Sequence, residues 1–471
     1  MNTIYIKMIK LILVMLIGLC AFAAKGNKII SLEQAISIAQ ENDPWLHGSR
    51  LQQQAVENLT VASGALPDPK ITIGMMNLPT DSWDFGQEGM TQFKVGVSQV
   101  FPRGDSLEIK QSQLKLASTK FPLLRADRQA KLKSKVSELW LDAYLAQTTI
   151  ELIENNWALF EQMAEMATAS YANAIGKTRQ QDVIRAQLEI VQLEDRLSVE
   201  KQKFDIAIAR LNEWLHIFDE RDLNRGFNFD LQPLEFKVSK ALPALRIKHP
   251  TLLDASRYSR RDLAKELANH PALRVIDVKQ KVSEKGIALA KQEYKPQWSV
   301  NASYGYRDNV SSAGSGFAQS RADLFSVGVT FDLPLFTENR QDKQLAAAVA
   351  ESEAVKTEKL LLIKQMMSVV EKELRQLKRL TQRQSIYQQQ LLKQTHEQAE
   401  AALTAYTNDD GDFSEVVSAR IAELNTRISA LQIDVEALKT VARINYFLIQ
   451  SSAKRHSGSD QAINARPLGD K

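Results

Sequence analysis

Apolar and polar positions alternate through Phe93-Lys94-Val95-Gly96-Val97-Ser98-Gln99-Val100-Phe101-Pro102. Phe93, Val95 and Val97 point one way, and Lys94, Gly96 and Ser98 the other. A period of two predicts a strand, closed here by a proline turn. The pattern returns at Phe325-Ser326-Val327-Gly328-Val329-Thr330-Phe331, followed by Leu333-Pro334. Val95 to Val327 and Pro102 to Pro334 are each offset by 232 residues. Asn42-Asp43-Pro44 returns as Asn269-His270-Pro271 and Pro69 as Pro296, both offset by 227. Asp182-Val183 with Ala186 returns as Glu415-Val416 with Ala419, offset by 233. Matches in this order mean that the chain is built twice, with an insertion between the two strands of a half.

The rest of each half is helical. Ser31 with Gln34 is a capping box that predicts a helix over 31–42, and Asp43-Pro44 starts another over 44–65. A strand with Ile71, Ile73 and Met75 on one face precedes the strand at Phe93. From Asp105 to Tyr171 the only proline is Pro122. Val136, Leu139, Ala143, Ala146, Ile150, Ile153, Trp157 and Phe160 form a 3-4 seam. One continuous helix is expected there, roughly 100 Å long at ~1.5 Å per residue. Gly176 reverses the chain, and a return helix reaches Leu215. Residues 216–263 read as a linker with short helical pieces. The second half repeats the plan. It has a helix over 271–294 and a strand alternating Trp298, Val300, Ala302, Tyr304 and Tyr306 against Ser299, Asn301, Ser303, Gly305 and Arg307. After the strand at Phe325 come a long helix over 339–405, the turn Asn408-Asp409-Asp410-Gly411-Asp412 and a closing helix with its own seam from Val417 to Ala442.

The N-terminus changes the picture. Lys7 and Lys10, the apolar run Leu11–Leu19 and Ala21-Phe22-Ala23 read as a secretory signal peptide over 1–23. The run is short for a transmembrane anchor, the competing reading. Cys20 is the only cysteine and falls inside the removed segment, which leaves an exported chain without disulfides. The expected organisation is a first repeat over 24–243, a second over 244–450 and a polar tail over 451–471. Hydrophobic content of 44% and charged content of 25% exclude a multi-span helical membrane protein and a disordered chain. A net charge of +4 is too small to argue for nucleic acid, and six scattered histidines form no i, i+4 pair. No glycine-rich phosphate loop, metal-ligand spacing or nucleophile elbow is present, so neither an enzyme nor a cofactor is expected.

Each strand has the ~9–11 residues that span a bilayer when tilted. Four such strands cannot close a barrel, and open edges do not survive in lipid, so the chain is expected to oligomerise around a shared barrel. A small soluble sheet packed on helices is the competing reading. Export, strand length and the aromatic residues Trp298, Tyr304 and Tyr306 favour the membrane.

With these features the chain resembles the TolC family of outer-membrane efflux channels. The resemblance runs from about Ser31 to Leu448. It rests on the duplicated helix-strand-strand-helix plan, the prolines after the second strand of each half, and the segments Asp182-Val183-Ile184-Arg185-Ala186-Gln187 and Glu415-Val416-Val417-Ser418-Ala419-Arg420. It implies a mainly α protein with a membrane β-barrel. It also implies a homotrimer with a twelve-stranded barrel, four strands per chain, and a long coiled-coil tunnel through the periplasm of a Gram-negative bacterium. The implied partners are outer-membrane lipid, a periplasmic adaptor of the membrane fusion type and an inner-membrane resistance-nodulation-division pump. Ala65-Leu66-Pro67-Asp68-Pro69, Asn77-Leu78-Pro79 and Gln99-Val100-Phe101-Pro102-Arg103-Gly104 look most like the heavy-metal branch. A channel for drugs or secreted proteins and a periplasmic adaptor are the alternatives; adaptors lack paired spanning strands. Met75, Met76 and Met90 could serve as soft ligands, but methionines in or beside a strand are more often packing. In the family, acids on the closing helix narrow the periplasmic tip. Glu415 falls on one such position, Ser418 stands where a second acid is common, and Tyr406 falls on a tip tyrosine. Asp409, Asp410 and Asp412 are an alternative source of charge, or simply a good turn. Gly176 and Asp182 mark the tip of the first repeat.

Overall fold

A computed structural model describes residues 28–172, 179–216, 236–248, 259–309, 320–408 and 410–449. The signal segment, Cys20, Gly176, Asp409 and the polar tail lie outside the described residues. The chain forms two compact units. One comprises residues 1–44, 128–262 and 368–449, and the other residues 45–127, 263–367 and 450–471. Each unit draws on both sequence repeats.

In the first unit, strand β1 (Lys28–Ile30) leads into helix α1 (Leu32–Glu41). The Ser31 hydroxyl accepts from the Gln34 N–H at 3.2 Å, and the Gln34 side chain accepts from the Ser31 N–H at 3.0 Å. The expected capping box therefore satisfies two otherwise orphaned donors. Helix α2 (Pro44–Ala62) follows, the first of the elements that lie mostly in the second unit.

The long helix expected over 105–171 is two helices, α3 (Ser106–Ser118) and α4 (Lys120–Ala172), with the break at Thr119. Pro122 accounts for the break. It lacks the N–H that would bond the Ser118 carbonyl, and its ring would clash there, but it is tolerated in the first turn of a new helix. The return helix α5 (Gln180–Leu215) packs Ala207, Leu211 and Leu215 against Val136, Trp140 and Ala143 of α4 and Leu32 and Ala35 of α1 in one core.

The linker held an element that its pattern does not reveal. Strand β4 (Phe236–Val238) pairs in parallel with β1, Lys28 opposite Phe236 and Ile30 opposite Val238. Three residues are too few to show a period. Side chains of α4 complete the hydrogen bonding of this small ribbon. The buried Trp140 indole donates to the Ile30 carbonyl at 3.0 Å. The Gln147 amide donates to the Val238 carbonyl at 3.1 Å and accepts from its N–H at 3.2 Å. The linker's helical piece is α6 (Arg260–Leu267).

In the second unit, β2 (Lys70–Met76), β3 (Gln92–Phe101), β5 (Gln297–Tyr306) and β6 (Leu324–Asp332) form one antiparallel sheet in the order β2-β3-β5-β6. Helix α7 (Pro271–Gln292) precedes β5. The Gln113 amide of α3 donates to the Val282 carbonyl of α7 at 3.2 Å. Helix α8 (Gln341–Ile386) runs through one π-helical turn, Tyr387–Leu391, into α9 (Leu392–Thr407), so the expected long second-half helix is continuous. The closing helix α10 (Phe413–Phe447) buries Val417, Leu424, Ile428, Val435 and Ala442, members of the predicted seam.

Candidate conduit and gate

The four-stranded sheet separates two chemistries by its pleat. Ile73, Val95, Tyr304 and Phe325 lie side by side in one row, and the next row, Thr72, Gly96, Ser303 and Ser326, points to the other face. Repeated along the strands, this gives one face of Ile71, Val97, Ala302 and Val327 and an opposite face of Lys94, Ser98, Asn301 and Gly328. The apolar face is exposed within the chain: Ile71 is 71% accessible and Val327 64%. A contiguous apolar face of this size is sustained only by lipid or a partner. No strand among the described residues pairs with the outer edges of β2 and β6.

Aromatic residues mark both ends of the apolar face. Phe101, Trp298 and Phe331 share one row, with the Phe101 and Trp298 rings stacked at 4.5 Å. Phe93 and Tyr306 are paired at the other end, where Phe85 stacks on Tyr306 at 6.2 Å. Eight residues of strand separate Phe93 from Phe101, about 27 Å at ~3.4 Å per residue. Tilted by about 40°, that becomes roughly 20 Å, close to the apolar band of outer-membrane barrels. Met75 and Met76 point to opposite faces of β2, so they cannot share an ion through one face, and Met75 lies on the exposed apolar face.

Arg103 anchors the base of this sheet, a role that sequence alone does not assign. Its buried guanidinium donates to the Lys295 carbonyl at 2.7 Å and pairs with Glu293 at 3.3 Å and with Asp332. The first-half hairpin is thereby tied to both strands of the second. Gly104, at φ +45°, makes the turn possible: a Cβ there would sit 2.2 Å from the Lys295 side chain. At the other end Arg321 donates to the Glu88 carbonyl at 2.9 Å and Arg307 to the Gly89 carbonyl at 3.3 Å, pinning the loop between β2 and β3.

In the first unit, α4, α5, α9 and α10 meet around Met163, Ala167, Ala186, Phe413, Val416 and Val417. Tyr406 packs edge-on to Phe413 at 5.5 Å. The turn between α9 and α10 is closed by the Asp410 N–H donating to the Ala405 carbonyl at 2.9 Å. Gly411 is required by close approach, since a Cβ would lie 2.7 Å from the Tyr406 nitrogen. Asp410, Asp412 and Glu415 are exposed around this turn. Asp182 differs: it is buried, and its carboxylate accepts from the Arg179 N–H at 2.8 Å as the cap of α5. Ser418 accepts from Arg185 of α5 at 3.1 Å, so the position of the missing second acid holds an interhelical contact.

About three turns along α9 and α10 from the tip lies an ion network that the strand and seam patterns missed. Buried Glu423 meets His396 at 2.9 Å and Arg420 at 2.9 Å, and pairs with Arg427. Arg420 reaches Glu400 at 2.7 Å. Desolvation pushes the Glu423 carboxyl up, but hydrogen bonds from His396 and Arg420 and the charge of Arg427 outweigh it and hold it below its ordinary value.

Residues 263–448 match the family model described as outer membrane efflux protein. The second half of this chain is thus similar to outer membrane efflux proteins. The TolC-like resemblance read from the duplicated strands and seams therefore stands. No curated protein matches the chain in sequence. The fold of nearly the whole chain is that of solved outer-membrane channels. CusC superposes with a TM-score of 0.68 at 15% identity, covering 89% of this chain and 92% of that one. CmeC of Campylobacter jejuni gives 0.67 at 12% identity, covering 88% and 85%. VceC of Vibrio cholerae gives 0.66 at 13% identity, covering 88% and 95%. Among the described residues no helix is long and apolar enough to cross a membrane, and no three His, Cys, Asp or Glu side chains are grouped to hold a metal ion.

Proposed function

We propose that this chain is the exit duct of a tripartite efflux pump, three copies sharing one twelve-stranded barrel. The duct passes cargo from an inner-membrane resistance-nodulation-division pump through a periplasmic adaptor to the outside. The observation that carries this reading is the four-stranded sheet with one apolar face, one polar face and two edges that no strand among the described residues pairs. Such edges are satisfied in lipid only by closure with further copies. Heavy-metal cations are the proposed cargo, on the strength of Gln99-Val100-Phe101-Pro102-Arg103-Gly104 and its companion motifs. Deleting the gene from its host and exposing cells to copper, silver, zinc and cadmium salts, with drugs in parallel, tests the cargo. Metal sensitivity is expected; sensitivity to drugs alone moves the chain to the drug branch. A stable folded monomer in mild detergent would overturn the shared barrel.

The acids at the tip act as the gate. Symmetry turns Asp410, Asp412 and Glu415 into rings of carboxylates whose mutual repulsion favours bound cations. Asp409 adds to the ring by sequence, and Tyr406 holds the turn against Phe413. Asp182, buried as a cap, positions α5 beside the gate and does not line it. In planar bilayers, hexamminecobalt on the periplasmic side should block the channel, and Asp412→Ala with Glu415→Ala should relieve the block without disturbing the trimer. Unchanged block in that double variant places the gate elsewhere.

A further inference from the structure

Lys133, Ser134 and Ser137 of α4, Arg246 and Lys248 of the segment after β4, and Asn445 of α10 line a crevice of about 160 Å³ in the first unit. None of its twelve lining residues is acidic. Several other cations of this unit are matched by acids. Arg128 is matched by Asp43 at 2.7 Å, Lys240 by Glu151 at 2.9 Å and Arg443 by Glu373 at 2.9 Å. Lys133, Arg246 and Lys248 make no ion pair among the described residues.

The crevice is also built rather than incidental. Asn445 accepts from the Lys248 N–H at 3.0 Å and donates to the Arg246 carbonyl at 2.9 Å, which pins the two-cation segment to α10. The Ser137 hydroxyl is spent on the Lys133 carbonyl at 2.7 Å, while Ser134 also lines the crevice. Desolvation, then the charge of Lys133, hold the Lys248 ammonium below its ordinary value. Three cations around one crevice repel one another, and an oxyanion between them would replace that repulsion with charge-assisted hydrogen bonds.

We infer that this crevice is an oxyanion site, taking a phosphate group or the carboxylate of a small acid. The crevice, at about 160 Å³, has room for such a group. Arg246 offers a planar fork to two oxygens, while Lys133 and Lys248 act as point charges and Ser134 as a neutral donor. The crevice shares no residue with the conduit sheet or the tip acids, so it would tie the first unit to an anion independently of cargo.

Amine labelling with an acetylating ester on the intact, detergent-solubilised protein tests the inference without any mutation. Sodium phosphate, sodium succinate and sodium chloride are compared at equal ionic strength, with acetylation read by mass spectrometry. At ten times its dissociation constant a bound anion leaves roughly a tenth of sites free, so labelling of Lys133 and Lys248 should slow about tenfold. Lys393, an exposed lysine of α9, should label at the same rate in all three salts. Protection by phosphate alone, or by succinate alone, identifies which oxyanion is bound. Equal labelling of Lys248 in all three salts overturns the site, and so does equal slowing of Lys393. A variant carrying Lys133→Gln, Arg246→Gln and Lys248→Gln, still assembled by native mass measurement, should lose any phosphate- or succinate-dependent rise in melting temperature. Retention of that rise would equally refute the assignment.

Discussion

Placing an arginine at Val329 and at its neighbour Gly328 distinguishes lipid from lumen within one strand. β6 has nine residues centred on Gly328, and Val329 sits one step away. At ~3.3 Å per residue the strand is about 30 Å long, or about 23 Å across a bilayer when tilted by about 40°. Val329 then lies within about 3 Å of the midplane, where a lipid-facing arginine costs about 2–4 kcal/mol per chain. Val329 is 51% accessible on the apolar face, opposite Val300. Gly328 faces the other way, opposite Asn301, and a Cβ there would meet only the Asn301 amide nitrogen, at 3.0 Å. That amide ends a flexible side chain and can turn aside, so Gly328→Arg should stay within about 1 kcal/mol in stability. The assay is urea unfolding of channel reconstituted in vesicles, with heat-modifiable migration as a check on assembly. Val329→Arg should lower the unfolding midpoint and Gly328→Arg should leave it nearly in place while reducing conductance. Equal destabilisation by both, or a larger effect at Gly328, refutes the facing of the sheet.

Three further outcomes follow from single contacts. Arg103→Ala removes the ties to Glu293, Asp332 and the Lys295 carbonyl; because both carboxylates are partly solvated, the loss should be about 1–3 kcal/mol, read as a lower melting temperature and faster proteolysis near residue 295. Gly411→Ala forces a Cβ against backbone at 2.7–2.9 Å and should cost roughly 1–3 kcal/mol, with hydrogen exchange rising around Tyr406 and Phe413 and not in the sheet. Glu423 is held below its ordinary value in the folded protein, so its contribution is fully present above the unfolded carboxylate range and is lost as pH falls through the folded value. Glu423→Gln should therefore melt lower than the native protein at pH 7, and that gap should narrow as pH falls below the unfolded carboxylate range and vanish below the folded value; a gap that widened in acid would contradict the network.

Periodicity alone was enough to locate the strands, the seams and the duplication. A sheet that is apolar on one face and polar on the other must alternate, and a helix buried along one stripe must repeat every three to four residues, so both leave a mark in local order. Ser31 with Gln34 was legible for the same reason, since both halves of the capping box lie within one turn. The tertiary structure decided what local order cannot carry. β1 and β4 are too short to show a period and are recognised only because Trp140 and Gln147 complete their hydrogen bonds across the core. Thr119 became a break because Pro122 lacks an N–H, a cost that the continuing seam beyond it hides. Arg103 binds carboxylates some 190 and 229 residues away, and Lys133 meets Lys248 only after the chain has folded back on α10. Asp182 and Glu415 occupy matching positions in the two repeats, yet one is buried as a helix cap and the other exposed. The residue type is set by the sequence, but its burial, and with it the choice between holding a helix and facing solvent, is set by the neighbours that folding brings.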